Sequence, residues 1–95
     1  MSKNLGRIKK QILPTLKNHD VIRAAVFGSY ARGEENLKSD LDILVKFKGS
    51  KSLLDLVGLE LDLKDKLKMG VDVLTYGSIN HLIKDKVLSE QVRIL

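Results

Sequence analysis

The chain has 95 residues, 43% hydrophobic and 31% charged, a balance typical of one folded domain spanning residues 1–95 and not of a disordered chain. It contains no cysteine, which excludes disulfides and thiolate metal sites, and no apolar run approaches the roughly 20 residues of a membrane span, so we expect a cytoplasmic protein without membrane contact. Seventeen Lys and Arg against 12 Asp and Glu give a net charge of +5, which favours nucleic-acid binding only weakly, because the aromatic residues that stack on bases are few.

The N-terminal part of the chain predicts a helix followed by a strand. Apolar residues at helical spacing predict an amphipathic helix over residues 3–17, and we expect Pro14 to kink or interrupt it. The run "VIRAAVFG" (21–28) is rich in β-branched and apolar residues and ends at a glycine. It therefore predicts a first strand that stops at Gly28.

The rest of the chain alternates strands and helices. The runs "LDILVKF" (41–47) and "VDVLTY" (71–76) predict two further strands. Between them, residues 52–69 predict an amphipathic helix capped by Ser52 and stopped at Gly70. Residues 78–91 predict a last helix capped by Ser78, and "VRIL" (92–95) predicts a short terminal strand or a frayed end.

The lengths of the connections predict the topology. Residues 29–40 are about the minimum length for a parallel crossover and hold Gly33 and the loop "ENLKSD" in place of a full helix, so the first two strands should be antiparallel. Residues 48–70, in contrast, hold the complete helix that a parallel β-α-β crossover needs. We therefore expect an α/β or α+β fold with a small mixed sheet packed against helices. In that arrangement Asp72 and the pair Asp40 and Asp42 meet at the sheet edge where the first strand ends.

Three aspartates at one edge of a sheet predict a metal site. Asp40 and Asp42 are two residues apart and share one face of their strand, while Asp72 begins the next parallel strand. Carboxylates that converge in this way repel one another unless a cation lies among them. Oxygen ligands suit Mg²⁺ or Mn²⁺, and three aspartates can hold one ion or a pair about 3.5 to 4 Å apart.

The Gly-Ser pair at the end of the first strand predicts a phosphate site. Gly28 lets the backbone approach a phosphate closely, and residues 29–32 can open a short helix whose first amides bind anions. The Ser29 hydroxyl adds a donor. Arg32 can contact a triphosphate or, equally well, pair with Glu34 or Glu35. Phosphate donors beside an acidic metal site predict a nucleoside triphosphate site.

The motif "GSYARGEENLKSDLD" resembles the nucleotidyltransferase signature, in which Gly-Ser is followed after ten residues by Asp-x-Asp, and "GVDVLT" resembles the strand with that family's third acid. The chain is similar to minimal nucleotidyltransferases of the polymerase-β-like superfamily. The resemblance implies phosphate binding by Gly28 and Ser29. It also implies two Mg²⁺ ions on Asp40 and Asp42, and a catalytic role for Asp72 in holding metal and activating the attacking hydroxyl.

The same resemblance implies a partner. Minimal nucleotidyltransferases act as antitoxins that transfer AMP from ATP to a tyrosine of a HEPN-type helical toxin, so we expect this enzyme activity and this partner. Three alternatives stay open. The acceptor can be a small molecule or an RNA end, the chain can neutralise a toxin by binding alone, or its charge can serve nucleic-acid binding.

Overall fold

The structure, a computed structural model, describes residues 3–95, which form a four-stranded mixed sheet and four α-helices. The helices are α1 (Lys3–Asn18), α2 (Gly28–Arg32), α3 (Leu53–Leu67) and α4 (Lys84–Glu90). The strands are β1 (Val21–Phe27), β2 (Leu41–Phe47), β3 (Val71–Thr75) and β4 (Val92–Arg93). A single 3₁₀ turn, Tyr76–Ser78, follows β3. Within residues 3–95 no helix has both the length and the apolar character needed to cross a membrane.

The sheet has the strand order β3-β2-β1-β4. The pairing of β1 with β2 is antiparallel and that of β2 with β3 is parallel, so both predicted directions are confirmed. The end of the chain forms a strand, β4, that pairs with β1. Backbone bonds between Ala24 and both Ile94 and Leu95, of 2.9 to 3.1 Å, extend this pairing beyond β4. The predicted α/β architecture with a small mixed sheet is confirmed.

One face of the sheet carries the main core. Alternate residues of β1 and β2 point to that face, where apolar side chains of α1 and α3 cover them. The strand contribution includes Ala24, Val26, Leu41, Ile43 and Val45, and the helix contribution includes Leu5, Ile12, Leu16, Leu59 and Leu63. The residues between them on β1 and β2, Asp42 among these, therefore belong to the opposite face.

The crossover helix α3 begins as predicted and ends differently. Ser52 Oγ accepts a hydrogen bond from the Asp55 amide, and the Asp55 carboxylate accepts one from the Ser52 amide, which completes a capping box. The helix stops at Leu67, and Lys68 takes the left-handed conformation (φ 55°) that ends it. Gly70 is therefore not the residue that terminates α3.

Two helix predictions are wrong in detail. The predicted interruption of α1 at Pro14 is absent, and the helix continues through this residue. Ile12 and Leu16, both fully buried, hold the helix against the core on either side of Pro14 and offset the hydrogen bond that proline removes. The last helix spans residues 84–90 instead of 78–91. Ser78 does not cap it, since its hydroxyl bonds back to the Thr75 carbonyl at 3.0 Å. The side chain of Asn80 accepts the Leu82 amide at 2.9 Å, which stabilises a turn in place of a helix.

Candidate active site

The strand register places two aspartates side by side on the face opposite the main core. Asp42 of β2 pairs directly with Asp72 of β3, and Phe27 at the end of β1 pairs with Asp42 from the other side. Adjacent strands lie about 4.8 Å apart, so the two carboxylates are immediate neighbours. Asp42 is partly buried, while Asp72, on the edge strand, is exposed. The predicted convergence of these two acids is present in the fold.

The carboxyl group of Asp42 is in an environment that disfavours ionisation. Its pKa is raised from 3.8 to about 6, first by burial and then by the negative charges of Asp72 and Asp40. The positive charge of Arg32 acts in the opposite direction. A site with this electrostatic balance has excess negative charge that a cation can neutralise.

Gly28 forms the wall behind Asp42. Its φ of 71° lies in the left-handed region, which strains any residue with a side chain. A Cβ atom at this position would also overlap the Asp42 carboxylate. A glycine directly after β1 is thus required for two reasons: the turn into α2 and the space that the Asp42 carboxylate occupies.

The short helix α2 begins directly at this turn, as predicted. Ser29 lies in its first turn and is partly buried. Arg32, in its last turn, is exposed and makes two ion pairs, with Glu34 at 3.1 Å and with Glu90 of α4 at 3.3 Å. An ion pair of Arg32 with Glu34 is one of the alternatives that the sequence predicts. The pair with Glu90 links α2 to α4 across 58 residues of sequence, and no sequence pattern indicates it.

Asp40 lies at the edge of the acidic patch that Asp42 and Asp72 form. It precedes β2, is exposed, and places its carboxylate against Gly70, where any side chain would collide with it. The Leu41 amide bonds to the Gly70 carbonyl at 3.0 Å and fixes the two segments together. Gly70 thus leaves room for Asp40, a role that the sequence analysis missed because it interpreted this glycine as a helix stop.

The donor set fits a divalent cation that the substrate helps to bind. In residues 3–95 no three Asp, Glu, His or Cys side chains are arranged to hold an ion by themselves. Mg²⁺, however, is commonly bound by one or two carboxylates together with waters and substrate phosphates, and rarely by a cage made only of protein. Asp42 and Asp72 provide the two neighbouring carboxylates, with Asp40 close enough to influence the pKa of Asp42.

Comparison with known proteins gives a consistent result. Residues 10–95 match the pattern of the polymerase beta nucleotidyltransferase family. A protein of Methanocaldococcus jannaschii that is named as a candidate protein adenylyltransferase is 53% identical over 92 residues, which are 97% of this chain and 99% of that protein. The protein adenylyltransferase MntA of Thermococcus cleftensis is 44% identical over 69 residues, covering 73% of this chain and 70% of its own.

Solved structures with the same fold include a protein named as a candidate minimal nucleotidyltransferase, with a TM-score of 0.81 and 34% identity over 95% of this chain and 92% of that one. A toxin-antitoxin structure with AMP-PNP also has a TM-score of 0.81, at 21% identity over 92% and 72% of the two chains. A complex of an AMPylated HEPN toxin with its MNT antitoxin from Shewanella oneidensis has a TM-score of 0.74, at 18% identity over 95% and 71%.

Proposed function

Because the chain belongs to the polymerase beta nucleotidyltransferase family, we propose that it transfers AMP from ATP to a hydroxyl group of a partner protein and thereby acts as an antitoxin. The observation that carries the proposal is the register of β2 and β3, which puts Asp42 beside Asp72 and next to the Gly28 turn. Support also comes from what the similar proteins are: protein adenylyltransferases, and antitoxins in complex with toxins.

The reaction forms a bond between the acceptor oxygen and the α-phosphorus of ATP and breaks the bond from that phosphorus to the β-phosphate. Pyrophosphate leaves, and the hydroxyl proton needs a base. We assign that proton to Asp72, whose exposed carboxylate a hydroxyl can approach from solvent. Asp42, beside it, is less suited to this role because it is partly buried and less open to an incoming hydroxyl.

The other site residues bind the nucleotide. Asp40, Asp42 and Asp72 would hold Mg²⁺ or Mn²⁺, as one ion or two, and the metal when bound neutralises phosphate charge. We assign the amides of the turn at Gly28 and Ser29, with the Ser29 hydroxyl, to phosphate binding, because this turn begins α2 and lies against Asp42. Direct contact between the Arg32 guanidinium and the triphosphate would compete with its ion pairs to Glu34 and Glu90.

The acceptor we propose is a tyrosine of a HEPN-type helical toxin. The AMPylated HEPN toxin in the Shewanella oneidensis complex supports a protein acceptor of this class. A second candidate is neutralisation of the toxin by binding alone, which the similarity to antitoxins in toxin-antitoxin structures also supports.

Intact-mass spectrometry separates these candidates. The chain is incubated with ATP, Mg²⁺ and a HEPN-type toxin from the same organism, and both proteins are weighed. We expect AMP on the toxin, lost in Asp42→Asn and in Asp72→Asn and retained in Asp65→Asn, which removes an exposed carboxylate of α3. Tryptic mapping should place the AMP on a tyrosine.

Two outcomes would contradict the proposal. If Asp42→Asn inhibits the toxin at full strength and no AMP is transferred by the wild type, the chain acts by binding. If the wild type labels RNA or a small molecule and leaves the toxin unmodified, the acceptor is not a protein.

A further inference from the structure

A cleft of about 600 Å³ lies at the other end of the sheet from the acidic site. Its apolar lining includes Val45, Phe47 and Leu88, and its cationic lining comes from Arg23, Lys46, Lys51 and Lys84. Among residues 3–95 no Asp or Glu lines it. The nucleotidyltransferase chemistry described above does not use this cleft, which the sequence analysis did not predict.

Most of the positive charge in this cleft is available to a ligand. Lys51 pairs with Asp20 at 2.9 Å. In the structure of residues 3–95, neither Lys46 nor Lys84 has a carboxylate within 4.0 Å. Arg23 lies over the Tyr76 ring, 5.3 Å from its centroid, and has no ion-pair partner there either. Three uncompensated cations around one cleft favour an anionic ligand.

The cleft and the acidic site share one face of the sheet. Arg23 pairs with Lys46, and Phe27 pairs with Asp42. On both strands these residues lie between the core-facing ones, so all four belong to the face opposite the main core. Asp42 and Lys46 are four residues apart on β2, a distance of about 13 Å along the strand. Between the two sites Leu74 of β3 is 38% exposed and offers an apolar contact.

We propose that this cleft binds an acidic segment of the protein that accepts the nucleotide. The inference rests on the proposed function, because it identifies how the acceptor is held. An extended segment of about four residues spans about 13 Å. A partner segment with its carboxylates at Lys46 and Lys84 would therefore carry the hydroxyl that reaches Asp72 about four residues earlier or later in its sequence. The cleft thereby selects acceptors that carry acidic residues near the modified hydroxyl.

The contacts of Tyr76 argue against a nucleotide or RNA in this cleft. One face of its ring is covered by Arg23, and its hydroxyl is bonded to Gln91 Oε1 at 3.3 Å. A base would need a free ring to stack on, and binding of single-stranded RNA normally uses several such rings. Carboxylates can bind to the cations of the cleft without a free aromatic ring.

The test is an NMR titration of the ¹⁵N-labelled chain with two synthetic peptides. The first has one tyrosine and a run of glutamates about four residues away, and the second has glutamines in place of the glutamates. We expect the first peptide to shift the amide signals of Lys46, Tyr76 and Lys84, with binding weakened about tenfold or more by Lys46→Glu plus Lys84→Glu. The matched control, Lys10→Glu plus Lys17→Glu on α1, makes the same change in net charge at exposed positions and should bind within about twofold of wild type.

Several outcomes would overturn the proposal: no shifts in the cleft, equal shifts with the glutamine peptide, or an equal effect of the control pair. The same holds if ATP or single-stranded RNA shifts the cleft signals at lower concentration than the acidic peptide. Asp42→Asn should leave peptide binding unchanged. Peptide binding without any AMP transfer by the wild type would therefore refute the proposed reaction and not the anionic site.

Discussion

Asp42 is partly buried next to Asp72 and Asp40, so the folded state disfavours its ionised form. Its pKa of about 6 in the folded chain compares with 3.8 in an unfolded one. Between these values the folded chain holds a proton that the unfolded chain has released, so this group makes the free energy of unfolding fall as pH rises from about 4 to about 6. Above pH 6 the full penalty of the buried charge is present.

Replacing Asp42 by Asn should remove that penalty. We expect Asp42→Asn to raise the free energy of unfolding at pH 7.5 by about 1 to 2 kcal/mol, since solvent screens part of the interaction, and to have little effect at pH 4. Urea denaturation across this pH range measures the difference, with Asp65→Asn as the exposed control. Parallel pH profiles of wild type and Asp42→Asn would show that Asp42 is not under electrostatic strain.

Comparison of Gly28 with Gly33 can separate the effect of backbone strain from that of steric overlap with Asp42. Both have positive φ, 71° and 72°, but an added Cβ meets the Asp42 carboxylate only at Gly28, while the space around Gly33 is open. We expect Gly28→Ala and Gly33→Ala each to lose about 1 kcal/mol of stability from backbone strain. Only Gly28→Ala should weaken ATP binding in the presence of Mg²⁺, by about tenfold.

Titration calorimetry with ATP and Mg²⁺ checks the difference between the two alanine variants. Equal ATP affinity in both would assign Gly28 to the turn alone and remove its role behind Asp42.

The sequence could predict which residues form the acidic site and only part of their arrangement. Connection lengths and strand alternation bring Asp42 to Asp72, because they fix strand direction and face. The position of Asp40 beside Gly70 and the pair of Arg32 with Glu90 depend on loop conformations and on the placement of α4, for which no periodic pattern exists. Local sequence carries little information about contacts of this kind.

At the scale of elements, α3 presents two different surfaces. Leu59 and Leu63 are fully buried against the sheet, whereas Leu53, Leu54 and Leu61 are 74%, 81% and 58% exposed. The apolar periodicity that predicted this helix therefore does not by itself say which leucines belong to the core.

Alanine substitutions in α3 should reveal this difference. We expect Leu59→Ala and Leu63→Ala each to lower the free energy of unfolding by about 2 to 5 kcal/mol, through lost burial and a cavity. Leu54→Ala and Leu61→Ala should change it by less than about 0.5 kcal/mol, since these side chains lie in solvent. Chemical denaturation of the four variants is sufficient, and similar losses at Leu61 and Leu63 would contradict the orientation of the helix.

The sequence predicts a helix boundary where a capping motif adjoins apolar residues at helical spacing, and not elsewhere. Ser52 and Asp55 mark the start of α3 because a capping box is a local interaction. The segment 79–83 has the composition of a helix, yet the side chain of Asn80 and the hydroxyl of Ser78 bond to nearby backbone and hold turns. Competition between side-chain and backbone hydrogen bonds decides such segments.

At the scale of the whole molecule, opposite charges occupy the two ends of one sheet face. The aspartates lie where β1 ends, and the cationic cleft lies where β1 begins. The net charge of +5 is therefore unevenly distributed, and the acidic patch is a local exception in a basic protein. Composition alone could not locate either patch, because the strands that carry them come from separate parts of the chain.

The pairing of the chain end with β1 has a consequence for the order of folding. Ala24 bonds to Ile94 and Leu95, about 70 residues away, so β1 keeps an open edge until that distant segment has been made and has docked. Before then the β1–β2 pair and the β2-α3-β3 crossover can assemble, while the exposed edge of β1 stays able to pair with another nascent chain. Pairing of residues 92–95 with β1 closes that edge.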